Sequence, residues 1–226
     1  MIVVARRGSV RELHELDPLA DVSGGATTIA TGVWWLQPDD TAVVLGSRQS
    51  PDIVDTAECA RLGIGIVKRR SGGGAVLVVP DQLVWVDTVA VPGGTPGDVP
   101  NDVRGSMIWA GAMWQRALLP FVGDRQLAVH GGSLVATPWS DLVCFAGLGP
   151  GEVSLDGRKL VGLSQRRTRN GVRIQGTLYT APPAIDLAGL LRPPRPSTPL
   201  PDVATLAIDP AELVGRLAAQ LALGGA

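Results

Sequence analysis

Two dipeptides, Asp156-Gly157 and Asn170-Gly171, constrain the fold more than any other feature of the chain. Such pairs tolerate the positive φ angles of a type I′ turn, so each predicts a two-residue hairpin. Together they join three antiparallel strands, at about Glu152–Leu155, Arg158–Thr168 and Val172–Thr180. The short valine-rich runs Ala42–Leu45, Ile64–Val67, Ala75–Val79 and Leu83–Val91 are bounded by glycine, proline and aspartate, and read as further buried strands. Helices start where a capping residue precedes proline: Ser50-Pro51 opens one that runs to about Leu62, and Asp209-Pro210 opens another over about 210–223. A third helix is expected from Asn101 to Leu119, and the proline-rich stretch 182–202 reads as an irregular surface connection. Strands mixed with a few helices, without regular alternation, predict an α+β fold: a mixed, largely antiparallel sheet with helices packed on it. At 226 residues the chain is expected to form a single domain over 1–226.

Composition narrows the function classes. A formal charge of −1 provides no global field to recruit nucleic acid. No run reaches the roughly 18 apolar residues of a membrane span. Cys59 and Cys144 are too few for a disulfide framework, and only His14 and His130 are histidines, so no metal site can be assembled. A cytoplasmic monomer that binds neither membrane nor nucleic acid is expected. Among 20 basic residues only Lys68 and Lys159 are lysines, so each is weighed on its neighbourhood.

Two segments carry chemistry. Arg69-Arg70-Ser71-Gly72-Gly73-Gly74-Ala75-Val76 lies between two predicted strands. Its glycines allow close backbone approach and an anion-binding nest of N–H groups, and the arginines offer charge-assisted bonds. No Gly-Lys-Ser/Thr and no helix follow, so it is not a nucleotide P-loop; a purely structural turn is the alternative. The second segment is Gly157-Arg158-Lys159-Leu160-Val161-Gly162-Leu163-Ser164-Gln165. A lysine at the start of a hairpin strand is held on a rigid scaffold and can stabilise charge on a carbonyl or phosphate oxygen. The alternative is a solvated lysine at a hairpin end.

These segments, with Gly46-Ser47-Arg48-Gln49-Ser50-Pro51 upstream, resemble in order and separation the biotin/lipoate protein ligase superfamily, in its lipoate-protein ligase and octanoyltransferase branch. The resemblance covers about Ala42 to Thr180 and implies the fold of that catalytic domain. It implies transfer of a lipoyl or octanoyl group to a lysine of a lipoyl-carrier protein, of the dehydrogenase E2 or glycine-cleavage H type. Ligases of the branch use ATP with magnesium through an acyl-adenylate; transferases take the chain from a donor such as acyl carrier protein onto a cysteine. It implies binding of the acyl-adenylate region by Arg70, Ser71, Gly72, Gly73, Gly74, Ala75, Val76, Gly162 and Ser164, with Lys159 at the reacting carbonyl. Cys144, shortly before Lys159, has the position of the transferase cysteine; the alternative is a small buried hydrophobe. Departures also stand out. Where the branch carries histidine-aspartate and glycine-asparagine after the glycine loop, this chain has Val78, Val79, Asp81 and Gln82, and Gln175 stands where many members have histidine. They leave open a non-catalytic lipoate- or biotin-type binding module.

Overall fold

The computed structural model describes residues 2–19, 31–90 and 99–223; the loop-like Gly24–Thr28 lies outside them. At the centre runs β6 (Leu83–Ala90), buried along its whole length. It pairs antiparallel with β2 (Gly32–Pro38) on one side and with β10 (Gly171–Tyr179) on the other. Beyond β2 lies β1 (Ile2–Gly8), parallel to it. Beyond β10 come β9 (Arg158–Thr168), β8 (Val153–Leu155) and β7 (Leu127–Val129), all antiparallel. This seven-stranded sheet has the order β1-β2-β6-β10-β9-β8-β7. A second, three-stranded sheet holds β3 (Ala42–Leu45) between a parallel β4 (Gly65–Lys68) and an antiparallel β5 (Val76–Val78). The fold is the mixed, largely antiparallel α+β arrangement that the sequence predicts.

The first hairpin has the expected turn, with positive φ at Asp156 (51°) and Gly157 (79°). The second differs by one residue. Gly171 pairs with Thr168, so Arg169 and Asn170 form the turn and Gly171 already belongs to the strand. The Asn170 side chain donates to the Leu19 carbonyl (3.1 Å), a tertiary bond that turn propensity does not see.

Helix α1 (Val10–Glu15), not anticipated, starts at Ser9, which forms a capping box with Glu12. The helix expected from Ser50 to Leu62 is two pieces: a 3-10 turn at Pro51–Ile53 and then α2 (Thr56–Arg61). Val54 is extended, and Asp55 captures the amides of Ala57 and Glu58 as a second cap. Helix α3 (Val103–Val122) is capped by Asp102 and α4 (Pro210–Ala222) by Asp209. Among the described residues no helix is long and apolar enough to cross a membrane.

Alternation along β6 divides the core in two. Val84 and Val86 face α3 and α4, where Trp109, Met113, Trp114, Leu118, Leu213 and Leu217 pack. Trp85 faces the small sheet and meets Val44, Val76 and Val78, with Val10 and Leu13 of α1 in the same layer. Each fully buried large side chain contributes about 1.5–3 kcal/mol. Asp87, also on the Trp85 side, is fully buried against the Arg173 guanidinium (2.5 Å) and accepts from the Trp85 indole (2.7 Å). Burial pushes its carboxyl up from the ordinary value, and Arg173 opposes that shift.

Helix α3 passes close over the loop before β8. A Cβ at Gly111 would lie 1.9 Å from the Gly151 carbonyl oxygen, and one at Gly151 would lie 2.1 Å from that of Met107. Two absent side chains let backbone meet backbone, which sets the height of Glu152 beneath the helix. Gly111→Ala is therefore expected to destabilise. Alanine's helix preference returns about 1 kcal/mol, but a clash with unyielding backbone outweighs it. A net loss of about 1–3 kcal/mol is expected from overpacking, read as a lower urea midpoint with unchanged m-value.

Candidate active site

The glycine loop joins β4 to β5 and packs against the segment that carries Cys144. The Ala75 amide donates to the Leu142 carbonyl (2.7 Å), and the Cys144 amide returns a bond to the Ala75 carbonyl (2.9 Å). Gly74 faces that segment so closely that a Cβ would lie 2.7 Å from both Val143 C and Cys144 N. Gln49 braces the other side, donating to the carbonyls of Asp141 and Leu142 (both 3.0 Å). The upstream motif thus holds the chain that presents the cysteine.

The two arginines of the loop part company. Arg69 turns inward, 5% exposed, and donates to the carbonyls of Val44 (3.2 Å), Gly72 (2.7 Å) and Gly74 (2.9 Å). Burial draws its pKa down, with Cys144 pulling the other way. Arg70 turns outward and pairs with Asp17 (2.5 Å), which Arg166 also meets (2.5 Å). Ser71 reaches Ser164 Oγ (2.9 Å) and donates to Gln175 Oε1 (2.8 Å), tying the loop to β9 and β10.

Lys159 is not solvated. Its ammonium is 6% exposed and donates to the carbonyls of Cys144 (2.7 Å) and Gly147 (3.1 Å) and to Glu152 Oε1 (2.6 Å). Cys144 Sγ lies 3.9 Å from Lys159 Nζ. Gly162 leaves room for Phe145, whose ring carbons a Cβ there would approach to 3.0 Å.

Two cavities meet at the thiol. The inner one, about 400 Å³ including its mouth, is lined by Val44, Val76, Val78, Trp85, Gly162 and Thr177, with His14 and Arg69 at its wall. The outer one, about 820 Å³ including its mouth, is bordered by Gly72, Gly73, Gly74, Lys159, Glu152 and Gln165. Cys144, Leu163 and Ser164 line both. The structure therefore gathers Cys144, Lys159, Ser71, Gly72, Gly73, Gly74, Ala75, Val76, Gly162 and Ser164 around one junction and leaves Arg70 on the surface. Among the described residues no group of three or more histidine, cysteine or carboxylate side chains could hold a metal ion.

Arg69, Glu152 and His14 were not read from the sequence as site residues. Nothing in a pair of adjacent arginines tells which one faces in. Ser9-x-x-Glu12 was a legible capping box that would have placed His14 on a helix. His14 stacks on Trp85, ring centres 4.4 Å apart. Burial, with Arg173 and Arg69 nearby, pushes its pKa down to about 3. His130 is half-buried, with its ring against the Ser133 carbonyl, and lines neither cavity. Of the arginines about the second hairpin, Arg173 is buried on Asp87 and Arg167 donates to the Pro100 carbonyl (2.9 Å).

The large, mostly antiparallel sheet with few helices is the fold of lipoate-ligase catalytic domains. The chain matches the lipoyl protein ligase A/B catalytic domain over residues 24–199 and belongs to that family, in the lipoate-ligase branch of the superfamily. Among solved structures, a lipoate protein ligase-like protein from T. acidophilum with bound lipoic acid is 15% identical. The match covers 95% of this chain and 81% of that one, with a TM-score of 0.65. A lipoate-protein ligase A bound with ATP is 14% identical over 95% and 81% of the two chains, with a TM-score of 0.66. A bipartite lipoate protein ligase from Thermoplasma acidophilum, described with its E2 lipoyl domain, is 16% identical over 96% and 81%, with a TM-score of 0.61. No curated protein sequence gives a significant match.

Two outcomes follow from this geometry. Gly74→Val is expected to push the Cys144 segment off the loop, lowering stability by roughly 1–3 kcal/mol and abolishing lipoate binding in calorimetry. His14, neutral when folded, takes up a proton on unfolding below its ordinary pKa of 6.5. Its contribution is complete above pH 6.5 and is lost as pH falls towards about 3, at up to roughly 1.4 kcal/mol per pH unit. His14→Phe is expected to flatten that limb in urea titrations.

Proposed function

We propose that this chain is a lipoate-ligase-type acyltransferase that moves an octanoyl or lipoyl group through Cys144 to a lysine of a lipoyl-carrier domain. One observation carries the reading: Cys144 lines both an inner apolar slot and the outer cavity that holds Lys159 and Glu152, with its sulfur 3.9 Å from the Lys159 ammonium. An acyl chain fits the slot by its apolar surface. In the first step the Cys144 thiol exchanges with the thioester of an acyl donor, forming acyl-Cys144 and releasing the donor thiol with the proton. In the second, the carrier's lysine amine takes the acyl group as an amide and the proton returns to sulfur. Gly72, Gly73 and the Lys159 ammonium border the space where the carbonyl oxygen would gather charge.

A second reading is the ATP-dependent ligase, favoured by the likeness to proteins bound with ATP or lipoic acid. It requires magnesium beside the phosphates. The outer cavity offers one carboxylate, Glu152, already committed to Lys159. The described residues therefore fit that ion poorly, and no step is derived through it.

Intact-mass spectrometry separates the readings. With octanoyl-carrier protein and no ATP, the protein is expected to gain one octanoyl mass that hydroxylamine removes, and then to pass it to a lipoyl domain. Cys144→Ser is expected to lose both steps, since an ordinary serine is far less nucleophilic at neutral pH, and Cys59→Ser to behave as wild type. Transfer by Cys144→Ser that requires ATP and releases pyrophosphate would establish the ligase. Lipoate binding without modified carrier under either condition would leave a non-catalytic binding module.

A further inference from the structure

Lys159 reaches the site with all three of its protons engaged: Cys144 O, Gly147 O and Glu152 Oε1. The Cys144–Gly147 turn is wrapped around the ammonium, and the thiol stands at the edge of this cradle. Glu152 is itself immobilised. Its Oε1 accepts from the Leu163 amide (3.2 Å) and its Oε2 from the Gly149 amide (2.7 Å), with the side chain only 7% exposed. An ion pair buried this deeply persists where hydrogen bonds satisfy the remaining valences of both partners, as they do here.

The charges around the thiol make the pairing consequential. Arg69 faces it from the glycine loop, Lys159 from β9, Glu152 from the loop before β8, Tyr179 from β10 and His14 from α1. Burial keeps the Tyr179 phenol protonated and the His14 imidazole neutral near pH 7. Two cations and one anion remain, and Glu152 is the only member of the set that opposes a thiolate.

We propose that Glu152 is the positioning residue of this site: it clamps Lys159 onto the Cys144–Gly147 turn and restrains the thiol until an acyl donor arrives. The role rests on Cys144 being the reacting group of the proposed function. Its test needs neither donor nor carrier, so its failure and that of the transfer reaction are separate results.

Alkylation of Cys144 by iodoacetamide is followed against pH in a Cys59→Ser background. Glu152→Gln is expected to react roughly three- to tenfold faster at pH 7, its profile moving to lower pH, because an opposing charge has gone while the amide oxygen still accepts from Lys159 and the Leu163 amide. Lys159→Met is expected to react more slowly, its profile moving to higher pH. The double variant, which removes both charges, is expected to return towards the wild-type rate. An unchanged or slower rate in folded Glu152→Gln overturns the proposal. So does acceleration in both single variants, which would report loosened packing alone. Should Glu152→Gln fail to fold, the comparison of Lys159→Met with the double variant decides: recovery supports the clamp and its absence overturns it.

Discussion

A guanidinium buried without a carboxylate is costly unless every donor it turns inward finds an acceptor. Arg69 meets that condition with backbone alone, collecting carbonyls from β3 and from both ends of the glycine loop. Those same carbonyls are then tied to the guanidinium and hold the loop folded back on β3, while Gly74 and Ala75 seat it against the Cys144 segment. Gly73, with φ of 99° and a Cβ position 2.8 Å from Arg69 Nη2, is the residue that lets the loop close around it.

Much of the fold was legible because local signals and burial agreed. Asp156-Gly157, the valine runs and the Asp-Pro start of α4 each state their structure within a few residues. The failures came where a distant partner or a second cap decided. Asp55 caps a second helix just after the 3-10 turn ends, and Asn170, bonded to Leu19, stays in a turn that has lost Gly171 to the strand. The first strands and α1 were missed although Ser9 and Glu12 form a recognisable capping box, because the helix they start is only 6 residues long.

At the junction, residue types and order singled out segments that the structure brings together, and orientation did not follow from them. Two adjacent arginines on an extended segment must face opposite ways, and only packing chooses which. Glu152 carried no signal, since its meaning depends on a lysine in the next strand and a glycine contact with α3. The departures from the family pattern find a physical setting. Val78 lines the inner cavity, leaving that wall apolar, and Gln175 bridges Ser71 to the Asp87 cluster. The polar contacts beside the loop are assembled across β6, β9 and β10.

In the proposed transferase, the position of Cys144 on the wall shared by the inner and outer cavities makes the inner slot a ruler whose zero mark is the sulfur. An acyl chain filling the slot against Trp85 would deliver its carbonyl to the thiol. One longer by a few methylenes would still bury most of its surface and still bind, but its carbonyl would be carried past the sulfur into the outer cavity. Length would then be judged by registration rather than by affinity, and the wrong chain would reveal itself in turnover and scarcely in occupancy.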